Sequence, residues 1–138
     1  MIVKGVLFAG LILATALIGC TGTRNEASKV PSITPAESLK FLGHDTTVVF
    51  LDVRTSKEYT SETGHLQGAI LIAVDSLETR LPELELYKSK TIIAYCRSGV
   101  RSGRAQKILA EHGFHALSML GGITRWNKEA LPVVKEQQ

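Results

Sequence analysis

Thr91-Ile92-Ile93-Ala94-Tyr95-Cys96-Arg97-Ser98-Gly99-Val100-Arg101-Ser102 is the stretch that decides how this chain is read. Its first five residues are an apolar, β-branched run of the kind that forms a buried parallel strand, and Cys96 stands at the carboxyl end of that run. Downstream, Ala105, Ile108, Leu109 and His112 recur at i, i+3, i+4 and i+7, and Gly113 sits where a helix takes its C′ residue. The loop from Cys96 to Ser102 therefore joins a strand end to a helix start. Backbone N–H groups at a helix start are unpaired and carry partial positive charge, so a cysteine held there gives up its proton more readily. Arg97 and Arg101 add charge to the same loop. The segment suits a nucleophilic sulfur that meets an anionic substrate.

Outward from this loop, strand and helix patterns alternate. Thr34-Pro35-Ala36-Glu37 carries the signature of a helix start, with an N-cap, Pro at N1 and Glu at N3, and runs through Leu39 and Leu42 to Gly43. Thr47 to Val53 reads as a β-branched strand, Thr55 to Glu62 as a short polar helix, and Ala69 to Ala73 as a buried strand. Asp75 to Leu84 reads as a helix that Pro82 bends or ends. Ala116 to Leu120 supplies the last strand and Ile123 to Ala130 a closing helix. Such alternation predicts an α/β domain, a small parallel sheet with helices on both faces. Ligands of such sheets bind outside the carboxyl ends of the strands, where Cys96, Asp52 and Arg54 all fall.

Five segments, in order, resemble the motifs of the rhodanese sulfurtransferases. They are Leu51-Asp52-Val53-Arg54 with Glu58-Tyr59, Gly64-His65-Leu66-Gln67-Gly68-Ala69, the Cys96 loop, Gly121-Gly122-Ile123-Thr124-Arg125-Trp126, and Leu131-Pro132-Val133. The resemblance as a whole covers roughly Ser32 to Val134. The resemblance implies a rhodanese-like fold and a sulfane sulfur carried on Cys96 as a persulfide. Phosphatases related in fold use Cys-x5-Arg, whereas here Arg101 gives Cys-x4-Arg and Ser102 occupies the phosphatase arginine position. A ring one residue shorter draws its N–H groups together and suits a sulfur atom better than a phosphoryl group. Basic loop residues resemble the thiosulfate-using branch of the family, so Arg97 and Arg101 point to thiosulfate as donor, with cyanide or a thiol as acceptor.

Each residue has a plainer reading beside this one. A lone cysteine at a strand end is commonly a small buried hydrophobe, and surface arginines are commonly solvated charges; the ordered flanking motifs favour catalysis by Cys96 and substrate binding by Arg97 and Arg101. Ser98, Gly99, Val100 and Ser102 are expected to bind through backbone N–H groups, Gly99 allowing a left-handed turn. Asp52, Arg54 and Glu58 are expected to form a polar network positioning the edge of the site, His65 to fix a loop by hydrogen bonding, and Trp126 to be a core aromatic. His112 and His115 are split by the helix-ending Gly113, so no metal is assigned, and no cofactor is called for. Two function classes stay open. One is a sulfurtransferase; the other is a persulfide carrier that serves a sulfur-accepting protein and turns over small donors poorly.

The amino terminus reads as an export signal. Lys4 precedes an uncharged run from Gly5 to Ile18, a suitable secretory core and short for a spanning helix, which needs about 20 residues. Leu17-Ile18-Gly19-Cys20 resembles a bacterial lipoprotein cleavage box, which implies residues 1–19 as a signal peptide and Cys20 as the lipidated mature terminus. An uncleaved anchor and a plain signal peptide cleaved elsewhere are the alternatives. Residues 20–32 then form the lipidated end and a polar tether, leaving 33–138 as one rhodanese-like domain. Lipid on Cys20 leaves Cys96 without a disulfide partner and places the domain in the cell envelope, held to a membrane. The chain carries a net charge of only +3, and without residues 1–19 it loses Lys4 and no acid, a near balance that argues against a nucleic-acid surface.

Overall fold

The computed structural model describes residues 29–136; residues 1–19, Cys20 and the tether up to residue 28 lie outside the described residues. In chain order the elements are β1 (Ser32–Ile33), α1 (Pro35–Leu39), β2 (Val48–Asp52), α2 (Ser56–Tyr59), β3 (Ile70–Leu71) and α3 (Val74–Arg80). They continue with a 3-10 helix (Leu81–Tyr87), β4 (Thr91–Tyr95), α4 (Val100–Glu111), β5 (His115–Met119) and α5 (Gly122–Lys128). The strands form one sheet in the order β1-β5-β4-β2-β3, with every pairing parallel. The two longest apolar runs, β2 and β4, lie side by side and place Asp52 opposite Tyr95, so both chain reversals at the site start from the same edge.

Alternation along the strands builds two cores. Ile92, Ala94 and Cys96 of the central strand face one side with Leu51, Leu77, Leu84, Ala105 and Leu109, under α3, the 3-10 helix and α4. Ile93 and Tyr95 face the other side with Phe50, Leu66, Met119, Ile123 and Trp126, under α1 and α5. This is the period-two pattern of a sheet buried on both faces. Trp126 is fully buried and donates its indole N–H to the Pro132 carbonyl at 3.0 Å, tying the segment after α5 to the core.

The ends of several elements follow local chemistry. Thr34 caps α1: its Oγ1 accepts from Glu37 N–H at 3.3 Å while the Glu37 carboxylate accepts from Thr34 N–H at 3.0 Å. Pro82 ends the α-helical form of the segment that begins at Val74, and the chain continues as the 3-10 helix. Two expectations are corrected. The polar tether is expected to run through Ser32, but Ser32 pairs with Ser118 as part of β1. The strand expected over Ala69 to Ala73 is only Ile70–Leu71, because it is an edge strand paired on one side alone.

Candidate active site

Cys96 leaves β4 at its carboxyl end, and the chain turns tightly around its sulfur before α4 begins. Gly99 makes this turn with φ +102°, a conformation that L side chains rarely adopt, and a Cβ there would meet Gly121 N at 3.3 Å. The Gly99 N–H donates to Cys96 Sγ at 3.1 Å, and Ser102 Oγ stands 3.7 Å from the sulfur. Ser102 is fully buried; its Oγ donates to the Gly99 carbonyl at 3.1 Å and lies 2.8 Å from Ser118 Oγ in β5. The hydroxyl is thus fixed by two partners. Burial pushes the thiol of Cys96 up, but the backbone N–H groups of Ser102, Gly99 and Ser98 and the Ser102 hydroxyl together hold it below its ordinary value. Cys96 is a free thiol with 1% exposure, so the sulfur is a guarded nucleophile stabilised as thiolate.

The loop is braced from beneath by the turn into α5. Ile123 N–H donates to the Cys96 carbonyl at 2.8 Å and Thr124 N–H to the Arg97 carbonyl at 3.1 Å. Gly122, at φ +56°, packs so closely that a Cβ would fall 2.6 Å from the Arg97 carbonyl carbon and oxygen. The Gly121-Gly122 pair is therefore part of the site's foundation, and its place in the fourth motif was the sequence signal for it.

The expected network of Asp52, Arg54 and Glu58 divides into two ion pairs. Arg54 and Asp52 form a buried pair, with Nη2 to Oδ2 at 2.7 Å and Nε to both carboxylate oxygens at 3.0 and 3.1 Å. Arg54 also donates to Thr63 Oγ1 at 2.9 Å and to the Gly64 carbonyl at 2.8 Å, so it pins the turn that begins the second motif. Glu58 instead joins the Cys96 loop. It accepts from Arg101 Nη1 at 2.8 Å and Nη2 at 2.6 Å while capping its own helix through Thr55 N–H. The Arg101 guanidinium holds the Glu58 carboxyl at about 2. Arg101, expected to face the substrate, is thus engaged by a carboxylate 43 residues earlier in the chain, a pairing that no local pattern signals.

The remaining expected residues fall as follows. Arg97 is exposed at the mouth of the loop, and Val100 opens α4 with its side chain turned outward, 79% exposed. His65 fixes a loop through its main chain: its N–H donates to the Val134 carbonyl at 2.9 Å and its carbonyl accepts from Val134 N–H at 2.8 Å. Its ring stacks on Tyr59 with centroids 3.8 Å apart, Nδ1 lies 3.1 Å from the Leu66 carbonyl, and Nε2 faces the Glu136 carboxylate at 3.6 Å. Gly64 stands first in the second motif, but its carbonyl contact with Arg54 carries no local signal; Thr63 and Ser118 lie outside the motifs and act through contacts with residues well apart in sequence.

The model of the rhodanese-like domain family matches residues 34–129 of the chain. A tRNA uridine(34) hydroxylase of Cronobacter sakazakii is 31% identical over 110 residues, which are 76% of this chain and 31% of that protein. The chain thus spans about a third of the length of the curated relatives it matches. A rhodanese-related protein of Thermoplasma volcanium superposes with a TM-score of 0.69 at 29% identity, covering 77% of this chain and 99% of that one. A rhodanese-like domain protein of Staphylococcus aureus gives 0.65 at 30% identity, covering 76% and 99%.

Proposed function

We propose, because the chain belongs to the rhodanese-like domain family, that it is a sulfurtransferase that moves a sulfane sulfur from thiosulfate through a Cys96 persulfide to a thiol or cyanide. The observation that carries this reading is the sulfur cradle: a free thiol at a strand end, held below its ordinary pKa by the loop's N–H groups with Gly99 N only 3.1 Å away. In the first half-reaction the Cys96 thiolate attacks the outer sulfur of thiosulfate. An S–S bond forms, the sulfur–sulfur bond of thiosulfate breaks, and its electron pair leaves with sulfite. The N–H groups that hold the thiolate also suit the persulfide anion. In the second half, the acceptor takes the terminal sulfur and returns Cys96 to thiolate.

Incubation with thiosulfate alone should add one sulfur atom to the peptide that holds Cys96, read by mass, and should release sulfite before any acceptor is present. Cys96→Ser should abolish both. Sulfite release that waits for the acceptor would exclude the covalent route. One observation favours the carrier as a second reading: Glu58 neutralises Arg101, leaving Arg97 as the loop's uncompensated cation for a dianionic donor. A carrier would form the persulfide yet turn over thiosulfate and cyanide slowly, passing its sulfur faster to a protein thiol.

Residues 1–19 and Cys20 add a place of work to this reading: a lipid-anchored domain in the cell envelope, acting on small molecules without nucleic acid. Mature protein beginning at Cys20 and partitioning into membranes is the expected result, with Cys20→Ser leaving it unlipidated. Native protein in the cytosol with Met1 attached would exclude this placement.

A further inference from the structure

Five cations stand near the mouth of the Cys96 loop, and the structure separates those already compensated from those that are not. Arg54 is held by Asp52 and Arg101 by Glu58, and the Glu58 carboxyl, at about 2, keeps its charge at every pH of interest. Arg125 pairs with Glu129. Two remain. Arg97, on the loop, and Lys57, on α2, have no ion pair and no side-chain hydrogen bond among the described residues, and both are exposed. They line the same cavity of about 260 Å³, together with Arg54, Glu58, Ser61, Thr63 and Ile123. Arg97 is the residue after Cys96, so the cavity reaches the loop one residue along the chain from the reacting cysteine and extends along α2.

We propose that this cavity is a subsite for the carboxylate of a small thiol that accepts the sulfur from Cys96, gripped by Lys57 from α2 and Arg97 from the loop. The inference rests on the sulfur-transfer reading and names the acceptor. The outer sulfur of thiosulfate must enter the N–H cradle of the loop, which keeps its sulfite group close to Cys96 and leaves the Lys57 end of the cavity unused. A carboxylated thiol fills both ends: its sulfur reaches the persulfide while its carboxylate meets the two free cations. In that step the acceptor thiolate attacks the terminal sulfur of Cys96–S–SH. A new S–S bond forms, the Cys96 Sγ–S bond breaks with its electron pair left on Sγ, and the acceptor departs as its own persulfide with the proton. No oxidant or reductant is needed. Both cations are solvent-facing, so the preference is electrostatic and screened by salt.

The test loads full-length protein with thiosulfate and follows loss of the Cys96 persulfide to mercaptoacetate and to 2-mercaptoethanol. Taking the ratio of the two rates in each variant cancels the intrinsic reactivity of the thiols. Lys57→Gln should lower the mercaptoacetate preference about fivefold and Lys57→Glu about tenfold or more, the scale of one and two unit charges near a protein surface. Lys107→Glu, the same charge change on the exposed face of α4, should leave the ratio as it is. A second measurement needs no sulfur transfer: the alkylation rates of Cys96 by iodoacetate and by iodoacetamide, read by peptide mass, should show the same Lys57 dependence. A ratio that Lys57→Glu leaves unchanged in both measurements, or that Lys107→Glu lowers equally, overturns the subsite. Absence of any persulfide with the alkylation ratio still dependent on Lys57 would overturn the sulfur-transfer reading and with it the acceptor, while leaving an anion subsite beside Cys96.

Discussion

Replacing Asp52 with Asn probes the ion pair that anchors the edge of the site. Arg54 and Asp52 are 1% and 0% exposed, and the closest contact between them is 2.7 Å. Asp52 Oδ1 also accepts the Arg54 N–H at 3.0 Å, so the carboxylate holds both the backbone and the side chain of its partner. Asn keeps the shape and removes the charge, leaving a guanidinium that cannot shed its proton in a site closed to bulk water. Breaking one side of a buried pair costs about 3–5 kcal/mol. Arg54 would keep its bonds to Thr63 and Gly64, which puts the expected loss at the lower end, about 3 kcal/mol. Domains of this class have a total stability of about 5–15 kcal/mol, so the variant should fold and unfold at much lower urea, with the slope of the transition unchanged. Adding Arg54→Met removes the stranded charge. The double variant should therefore be less destabilised than the sum of the two single variants by about 2 kcal/mol. A loss under about 1 kcal/mol for Asp52→Asn, or simple additivity in the cycle, refutes the view that these charges depend on one another.

Four further outcomes are expected. The Glu58 carboxyl is lowered from 4.5 to about 2, so the Arg101 pair stabilises the fold above about pH 4.5 and loses that contribution as pH falls toward 2; the stability difference between wild type and Glu58→Gln should be about 1 kcal/mol at neutral pH, given partial exposure, and vanish near pH 2. A difference that stays flat across that range refutes it. Burial raises the Cys96 thiol and the loop donors lower it, the Ser102 N–H first among them, then the Gly99 N–H and the Ser102 hydroxyl; Ser102→Ala keeps the N–H and removes the hydroxyl, so it should move the pH profile of Cys96 alkylation modestly to higher pH, and an unmoved profile counts against the hydroxyl's part in the cradle. Gly122→Ala should cost at least about 2 kcal/mol and reduce persulfide yield, because its Cβ would press on the Arg97 carbonyl, whereas Gly68→Ala, at φ +71° with nothing within 4 Å, should cost only about 1 kcal/mol; equal melting temperatures would contradict this. Aryl phosphates should not be hydrolysed, since Arg101 is committed to Glu58 and Ser102 is buried where a phosphatase places its arginine; phosphatase activity lost in Cys96→Ser would overturn the reading.

Features set by neighbours in sequence were legible before the structure. The strand into Cys96, the helix through Leu109 and its end at Gly113 follow from periodicity and from glycine at φ +81°. The cap of α1 could be read because Thr34 and Glu37 are three residues apart. What escaped was long-range. Ser32 and Ile33 make too short a segment to show alternation, and only the edge of β5 gives them a partner. Arg97 and Arg101 look equivalent in sequence, yet Glu58 reaches only Arg101, a choice made by where α2 lands above the loop. Ser118 likewise becomes a partner of the Cys96 loop through β5 standing beside β4.

The position of β1 at the sheet's outer edge bears on how the molecule assembles. Its partner β5 lies near the other end of the domain, so the first strand made is among the last to find its place. Every pairing in the sheet is parallel and spans a crossover, which gives a high contact order and slow folding. Until β5 forms, Ile33 and the apolar side of α1 have no sheet edge to join, and the chain is open to association with other nascent chains. A truncation ahead of His115 should therefore leave β1 without a partner strand, and the sheet should close only after the last strand is available.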